Sequence, residues 1–246
     1  MKPRNKLAIV TVHNGAGFDL NKTLKSIDDQ INKPDLSLVV AKQLNNFHKD
    51  IYKKNYRDFI VGRDKSLWHA MNIALEKTRK YFVLFLNSGD TLYDKNSITN
   101  IYKNIRVRPI THIFKTQLVY EKTIFKPKKY LFKSNIYSPH PSFVRSPIKG
   151  KKLNKYNQKN YINADGEWML KERKRGAYKK INTIISKHYL GGQSTNPTLK
   201  SINKLFVDNP IAGFKEIIKL FLNFVLNKKN YYKLIYFLKY EIKDEK

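Results

Sequence analysis

Short apolar runs, each bounded by polar residues or turn formers, punctuate the first 90 residues of the chain. Runs of this kind predict buried strands. They lie at residues 7–12, 36–40, 59–61 and 81–86. Between them, apolar residues recur at helical spacing in residues 19–31 and 67–80. This alternation predicts an α/β fold with a Rossmann-like, mostly parallel central sheet flanked by helices.

The run at residues 81–86 stops abruptly in the turn formers Asn87-Ser88-Gly89-Asp90. Ligands of open parallel sheets bind outside the carboxyl ends of the strands. A carboxylate there suits a hard divalent cation that keeps substrate phosphates among its ligands. Asp90 is therefore a candidate anchor for a metal ion and a pyrophosphate. The alternative is a plain turn that leads into a helix, with Asp90 as its N-cap.

The chain changes character after Asp94. Residues 95–164 contain sixteen Lys and Arg but one acidic residue, Glu121. Uncompensated charge of one sign costs folded stability and favours an anionic ligand, although a basic run can also be a solvated face. Short β-like segments in this half predict strands that extend or cross the sheet. They lie at residues 110–114, 117–120 and 123–125.

Two acidic residues, Asp165 and Glu167, stand at the start of a predicted helix that runs to about Arg175. They either cap the helix N-terminus, where such residues contribute about 0.5–1 kcal/mol each, or include a general base. A general base needs a carboxylate within hydrogen-bond reach of the attacking hydroxyl. The pattern leaves both interpretations open. A last strand is predicted at residues 181–189.

Composition restricts the class of partner and the compartment. Of the 246 residues 41% are hydrophobic, enough for a sizeable core, and the formal net charge is +30. Such a charge predicts a polyanionic partner: nucleic acid, an acidic membrane surface or phosphorylated small molecules. The chain has no cysteine, which excludes disulfides and thiolate metal sites. The N-terminal apolar run is too short for a signal peptide and no window is long enough for a membrane span. We therefore expect a cytoplasmic protein unless its surface binds a membrane.

The C-terminal segment mixes Tyr, Phe and Leu with lysines. A helix is predicted to begin at Asn209-Pro210, because proline favours the first helical position, and residues 211–226 and 231–242 both have helical patterns. Basic amphipathic helices of this composition bind anionic membrane interfaces. Alternatively, the two helices pack on the domain or dimerise.

Several segments in the order of the chain resemble family 2 glycosyltransferases of the GT-A fold, most closely the bacterial branch that includes colanic-acid and other polysaccharide-building transferases. The resemblance covers residues 7–195, and its strongest part is the block from Asp64 to Asp90. The matching segments are LAIVTVHN (7–14), Leu24-x-Ser26-Ile27-x-x-Gln30, Asp64-Lys65-Ser66-Leu67-Trp68-His69-Ala70-Met71-Asn72, Leu84 to Asp90, His140-Pro141-Ser142, Ala164-Asp165 and Gly191-Gly192-Gln193-Ser194.

The resemblance implies transfer of a sugar from a nucleotide diphosphosugar to a hydroxyl, with inversion at the anomeric carbon. Asp90 would hold Mg²⁺ or Mn²⁺ on the donor pyrophosphate, and Asp165 would be the general base, with Glu167 as the alternative. The implied donor-binding residues are Thr11, His13, Asn14, Asp64, Asn72, Ser88 and Asp90. The implied acceptor- or phosphate-binding residues are His140, Ser142 and Arg145, of which His140 and Arg145 would supply cations to a diphosphate.

Three positions depart from the family pattern. The family has an Asp-rich loop after the third strand that holds the nucleobase, whereas residues 39–43 here read Val-Val-Ala-Lys-Gln. Ser66 replaces an expected glycine and His69 an expected aspartate. The departures leave the nucleobase of the donor unassigned.

The resemblance also divides the chain. Residues 1–200 would form the GT-A domain, with a nucleotide-sugar-binding half (1–94) and an acceptor-binding half (95–200), and residues 201–246 a basic, amphipathic helical tail. The expected partners are a nucleotide diphosphosugar donor, a glycan or lipid-diphosphate-linked acceptor and, through the tail, an anionic membrane. The expected place is the inner face of the cytoplasmic membrane, in synthesis of a bacterial surface polysaccharide such as capsule or lipopolysaccharide.

Two other functions compete with this one. A non-catalytic, glycosyltransferase-like partner in a membrane assembly would keep the fold without turnover. A nucleic-acid-binding protein would use the basic and aromatic residues that alternate in residues 126–137. However, the sequence contains no recognised nucleic-acid-binding motif, and strands that end in carboxylates would repel phosphates in the absence of a metal. We therefore expect no nucleic-acid partner.

Overall fold

The computed structural model describes most of the chain. The described residues are 5–13, 20–44, 53–108, 110–128, 139–148, 150, 152–159, 164–191, 210–237 and 239–244. The strands are β1 Leu7–His13, β2 Leu36–Ala41, β3 Arg57–Val61, β4 Phe82–Phe85, β5 Thr91–Leu92, β6 Thr111–Tyr120, β7 Thr123–Pro127, β8 Phe143–Arg145, β9 Tyr178–Tyr189 and β10 Tyr240–Asp244. The helices are α1 Leu20–Asp28, α2 Leu67–Lys77, α3 Ser97–Val107, α4 Ala164–Arg175, α5 Pro210–Val225 and α6 Lys228–Tyr236, with a 3₁₀ turn at His140–Ser142.

The first half of the chain forms the parallel part of one sheet. Strands β4, β1, β2 and β3 are parallel neighbours in that order, and they are the four apolar runs of the sequence. His13 pairs with Ala41, and Ala41 pairs with Val61. The carboxyl ends of three strands are therefore level, which creates the edge where a ligand site was expected.

The two faces of the sheet are covered by different helices. Alternate residues of a strand point to opposite faces. On one face Ile9 and Leu84 pack with residues of α1 and α3. On the other face Val10 and Val83 pack with residues of α2 and α4. The central sheet flanked by helices confirms the predicted α/β class.

The second half makes the sheet mixed. Strand β8 lies antiparallel between β4 and β6, β6 and β7 form an antiparallel hairpin, and β9 runs parallel to β6 and also pairs with β5. Of the nine strand pairs among the described residues, four are parallel. The prediction of a mostly parallel sheet is therefore right for the first half and wrong for the whole. The difference comes from five antiparallel pairs, each of which involves a strand of the second half.

Some predicted element bounds need correction. The segments predicted at 110–114 and 117–120 are one strand, β6, whose ten residues include the buried polar side chains of Lys115 and Thr116. Helix α3 and strand β8 were not predicted. Helix α3 begins after Asn96 and buries Ile98, Ile101 and Ile105. Strand β8 has three residues, too few for a periodic pattern.

The C-terminal segment is not the purely helical extension that its pattern predicted. The helix expected over residues 231–242 ends at Tyr236, and β10 follows and pairs antiparallel with β7 at the edge of the sheet. Pairing of Tyr240 with Pro127 and of Ile242 with Phe125 explains the change, because strand pairing satisfies the backbone of this segment. Residues 201–209 lie outside the described residues, so the proposed division into domain and tail stays a prediction.

Candidate active site

The turn after β4 is held by helix α1. The hydroxyl of Thr23 accepts a hydrogen bond from the Gly89 amide (2.9 Å) and donates one to the Asp90 carbonyl (2.7 Å). Gly89 has a φ of 97°, a left-handed conformation that residues with a Cβ rarely adopt. The backbone that presents Asp90 is therefore fixed from both sides.

The Asp90 side chain is only 5% exposed and bonds to strand β9. Its Oδ1 atom lies 2.8 Å from Nδ1 of His188 and accepts a hydrogen bond from the Tyr189 amide at 3.2 Å. Strand β5 begins at the next residue. Asp90 is therefore not the N-cap of a helix, and the alternative of a plain turn before a helix is wrong.

The charges of Asp90 and Asp165 act on two imidazoles, those of His140 and His188. Burial acts to lower the pKa of His188, but the charges of Asp90 and Asp165 outweigh it and the net pKa is raised. Burial lowers the pKa of His140 to about 4, although the same two carboxylates act to raise it. In geometry, His188 contacts Asp90 at 2.8 Å, and His140 packs against Trp168 of α4, the helix that carries Asp165 in its first turn.

His140 sits in an aromatic setting. Its Nε2 atom lies 2.7 Å from the hydroxyl of Tyr156, its ring stacks on Phe85 with centroids 5.1 Å apart, and the edge of Trp168 packs beside it. With a pKa of about 4 the imidazole is neutral at physiological pH. Burial among aromatic rings disfavours the charged form that was expected to meet a diphosphate, and the place of His140 beside the donor or acceptor stays a prediction.

The two acidic residues of α4 lie in its first turn. Asp165 accepts a hydrogen bond from the Gly166 amide at 2.8 Å, and both Asp165 and Glu167 are half-buried. Carboxylates at this position interact favourably with the helix dipole. Asp165 also lies close enough to His140 and His188 to influence both. Helix α4 thus carries Asp165 in its first turn, where the carboxylate also stabilises the helix N-terminus.

Several buried polar atoms lie at the edge where the parallel strands end. Buried oxygens of Thr11, Asp64 and Asn87 have no hydrogen-bond partner among the described residues. Buried polar atoms of native proteins are nearly always satisfied, so these three are candidates to bind a ligand. Nearby, Nδ1 of His13 lies 3.0 Å from the Ser88 hydroxyl, and burial lowers the pKa of His13. Of the expected donor-binding residues, Asn14 lies outside the described part of the chain, as do residues 192–194.

Two predicted site residues have structural contacts instead. The Asn72 amide donates to the Tyr156 carbonyl (3.0 Å) and accepts from the Tyr156 amide (2.8 Å), so both ends of the side chain are used. Ser142 is fully buried and donates to the Pro139 carbonyl at 2.6 Å. These residues support the site from outside, and Asn72 does so by fixing Tyr156, the partner of His140.

Arg145 lies away from the edge where the site forms. It pairs with Val83 near the start of β4, it is fully buried, and it donates to the Thr78 carbonyl at the end of α2 (3.0 Å). The antiparallel register of β8 carries the side chain toward the amino end of β4. Arg145 is therefore not a phosphate ligand of this site, contrary to the prediction.

Sequence reasoning missed four contributors: Thr23, Tyr156, His188 and the amide of Tyr189. His188 had a detectable signal, because it is an ionisable residue at the end of a predicted strand, just before a glycine pair. Thr23 and Tyr156 had none, since their roles come from contacts made across more than 15 residues of sequence, with Gly89 and His140 respectively.

The donor set allows one kind of metal site. Among the described residues no group of three or more His, Asp or Glu side chains is arranged to hold a metal ion. Mg²⁺ needs no such cage, because it usually binds through one or two carboxylates, waters and substrate phosphates. The Asp90 carboxylate fits an ion shared with a substrate diphosphate. It does not fit an ion held by protein ligands alone.

Comparison with solved structures identifies similar folds. The structure of S. aureus TarS 1-349 in complex with UDP has a TM-score of 0.57 and 13% identity, covering 93% of this chain and 75% of that one. The same protein in complex with UDP-GlcNAc has a TM-score of 0.60 and 12% identity, covering 82% of this chain and 65% of that one. The likeness is one of fold.

The unliganded TarS 1-349 structure agrees with these two, with a TM-score of 0.58, 14% identity, and coverage of 89% of this chain and 78% of that one. No protein-family model matches the chain, and no curated protein matches it in sequence. The chain therefore shares the fold of a protein that binds UDP and UDP-GlcNAc, while the polysaccharide branch suggested by the motifs stays a resemblance.

Proposed function

We propose that this chain is a glycosyltransferase that moves a sugar from a nucleotide diphosphosugar to a hydroxyl of an acceptor. The observation that carries the proposal is the Asp90 carboxylate just after β4, 2.8 Å from His188. Close by, His140 packs against Trp168 of α4, the helix whose first turn carries Asp165. The fold shared with TarS, which binds UDP and UDP-GlcNAc, supports a donor of this class.

The donor would bind along the edge formed by β4, β1 and β3. The oxygens of Thr11, Asp64 and Asn87, which have no hydrogen-bond partner within the described part of the chain, would face a polar ligand there. The pair formed by His13 and Ser88 lies at the ends of β1 and β4. Asp90 would share Mg²⁺ or Mn²⁺ with the donor diphosphate. When bound, the ion would offset the negative charge that develops on the leaving nucleotide.

Asp165 would act as the general base. Its carboxylate would accept the proton of the acceptor hydroxyl, the freed oxygen would attack the anomeric carbon, and the bond from that carbon to the diphosphate oxygen would break. Attack on the face opposite the leaving group inverts the configuration. Glu167, two residues along α4, is the alternative base.

The acceptor would be a glycan carried on a lipid diphosphate, in synthesis of a bacterial surface polysaccharide. The basic second half supports an anionic acceptor, because residues 95–164 have sixteen Lys and Arg against one acidic residue. Nucleotide sugars and lipid-linked acceptors meet at the inner face of the cytoplasmic membrane, which is where we place the reaction.

The test is release of nucleotide from a panel of nucleotide sugars, with Mn²⁺, with Mg²⁺ and with a chelator. We expect metal-dependent release with one donor, and its loss in Asp90→Ala. Asp58→Ala is the matched control, because Asp58 is an exposed carboxylate on β3. If the donor binds but no nucleotide is released with any acceptor mixture, the non-catalytic alternative would be favoured. Oligonucleotide binding that weakens steeply with salt, without donor binding, would favour the nucleic-acid alternative.

A further inference from the structure

The tail helices α5 and α6 are fastened to the sheet by a hydrophobic cluster of their own. Tyr231 and Tyr232 of α6 are almost completely buried against Leu118 and Phe125 of the sheet, and Leu222 of α5 packs on the same cluster. The cluster thus satisfies one apolar face of the tail.

Helix α5 has a second apolar face, and this face is in solvent. Its five exposed members are Ile217, Ile218, Phe221, Phe224 and Val225, which we name the α5 stripe. At about 100° per residue they fall within an arc of roughly 120°. The side chain of Phe221 is 63% exposed and that of Phe224 is 89% exposed. The stripe is therefore continuous and turned outward.

Exposure on this scale is concentrated in the tail. Of the twelve large apolar side chains that are exposed in the described residues, seven lie between Ile217 and Phe237. Single exposed apolar residues are ordinary, but a contiguous exposed patch marks a surface that binds a membrane or another protein. The α5 stripe is therefore a candidate binding surface.

Charge decides between the occupants. Residues 210–246 contain eight lysines and four acidic residues. Lys229 and Lys233 form ion pairs with Asp244, and the tail keeps a net positive charge. A second copy of this chain would bring the same lysines and the same net charge of +30 to the contact, and like charges repel at an interface. A bilayer with anionic headgroups offers both an apolar layer for the stripe and charge opposite to the net charge of the tail.

We propose that the α5 stripe inserts into the interface of an anionic bilayer, with α5 lying in the membrane plane. No helix in the described part of the chain is long and apolar enough to cross a membrane. The tail packs at the β10 and β7 end of the sheet, opposite the β3 end. The second half of the chain would therefore face the lipid. That this half receives a lipid-linked acceptor rests on the proposed function, but membrane insertion does not.

The test is flotation of the purified chain with phosphatidylcholine vesicles that contain or lack phosphatidylglycerol. We expect binding to the anionic vesicles, and about tenfold or greater weakening in the double variant Phe221→Ser/Phe224→Ser. The control is Ile31→Ser/Val107→Ser, which removes side chains that are 66% and 77% exposed outside the tail and should bind as the parent does. Equal binding by both double variants would overturn the proposal.

Two further measurements distinguish membrane insertion from misfolding and from self-association. Thermal unfolding of the Phe221→Ser/Phe224→Ser variant should match the parent, because exposed side chains contribute little to stability. In sedimentation without lipid, the parent and the variant should have the same oligomeric state. If the two substitutions dissociate an oligomer of the parent, and the parent does not bind anionic vesicles, the stripe binds a second copy and the proposal is wrong. Donor binding is measured in parallel, so failure of the proposed transferase activity is seen independently.

Discussion

The Nδ1 atom of His188 lies 2.8 Å from Oδ1 of Asp90, and this contact joins strand β9 to the turn that ends β4. The two residues are 98 positions apart in sequence. The carboxylate that was expected to anchor a donor diphosphate is therefore oriented by the second half of the chain as well as by its own turn. Substitutions in either half of the chain should therefore alter the orientation of the Asp90 carboxylate.

Replacing Gly89 with alanine should disturb the site through the backbone. A Cβ at φ 97° costs about 1–2 kcal/mol, and relief of that strain would move Asp90 away from His188. We expect lower stability in urea unfolding together with weaker donor binding. Gly176→Ala is the control, because Gly176 has no positive φ and nothing lies within 4 Å of a Cβ built there. Parent-like donor binding by Gly89→Ala would show that the turn does not set the site.

Asp165→Asn should abolish turnover and leave the donor bound. An amide keeps the size of the side chain but accepts no proton, so the loss should be about 10²–10⁴-fold in rate, with donor affinity changed by about threefold or less. Steady-state rates and donor titrations measure the two quantities separately. Glu167→Gln is the paired variant. Loss of turnover in Glu167→Gln with normal rates in Asp165→Asn would transfer the base to Glu167.

Asn72→Ala should act on stability. The substitution removes both hydrogen bonds between the Asn72 side chain and the Tyr156 backbone, which costs about 2–4 kcal/mol. Donor affinity of the folded protein, measured at low temperature, should stay near that of the parent. Asn104→Ala is the control, because the Asn104 amide bonds to Asn100 of its own helix. A donor affinity lost without loss of stability would restore Asn72 as a donor ligand.

Acid should destabilise the protein through its buried imidazoles. Burial lowers the pKa of His112 to about 4, as it does for His140. The folded state then binds a proton less readily than the unfolded state. The two imidazoles therefore make their full contribution to stability above pH 6.5, and this contribution is lost as the pH drops toward 4. We expect each group to contribute roughly 1–3 kcal/mol to that fall.

Urea unfolding of His112→Leu at pH 7 and pH 4.5 checks this expectation. His112 is 1% exposed, and leucine would fill the buried site while losing the hydrogen bond of the imidazole to the Ile110 backbone. The variant should lose less stability than the parent between the two pH values, while the contribution of His140 remains. Parallel pH dependence in the two proteins would contradict the assignment.

The parallel half of the fold could be predicted from sequence because three of its four strands, β1, β2 and β4, are almost entirely buried. Runs such as the one ending at Leu86 are apolar throughout, so they need no partner to be recognised. Strand β10 was different. Tyr240 and Ile242 fit a helical and an alternating pattern equally well, and only pairing with β7 decides between them.

The site was predicted in part for a similar reason. Asp90 and Asp165 stand at element ends, where local sequence signals are strong. The neutrality of His140 depends on Phe85, Tyr156 and Trp168, which gather from three separate segments. The displacement of Arg145 depends on the register of a three-residue strand. Neither property leaves a mark on the local pattern of residues.

Calorimetric titration of nucleotide diphosphosugars into the protein, with Mn²⁺ and with a chelator, tests the central claim most directly. We predict metal-dependent binding of at least one donor, weakened by about two orders of magnitude in Asp90→Asn and unchanged in Asp58→Asn, which alters an exposed carboxylate on β3. Equal donor binding by Asp90→Asn and the parent would contradict the claim that Asp90 anchors the donor diphosphate.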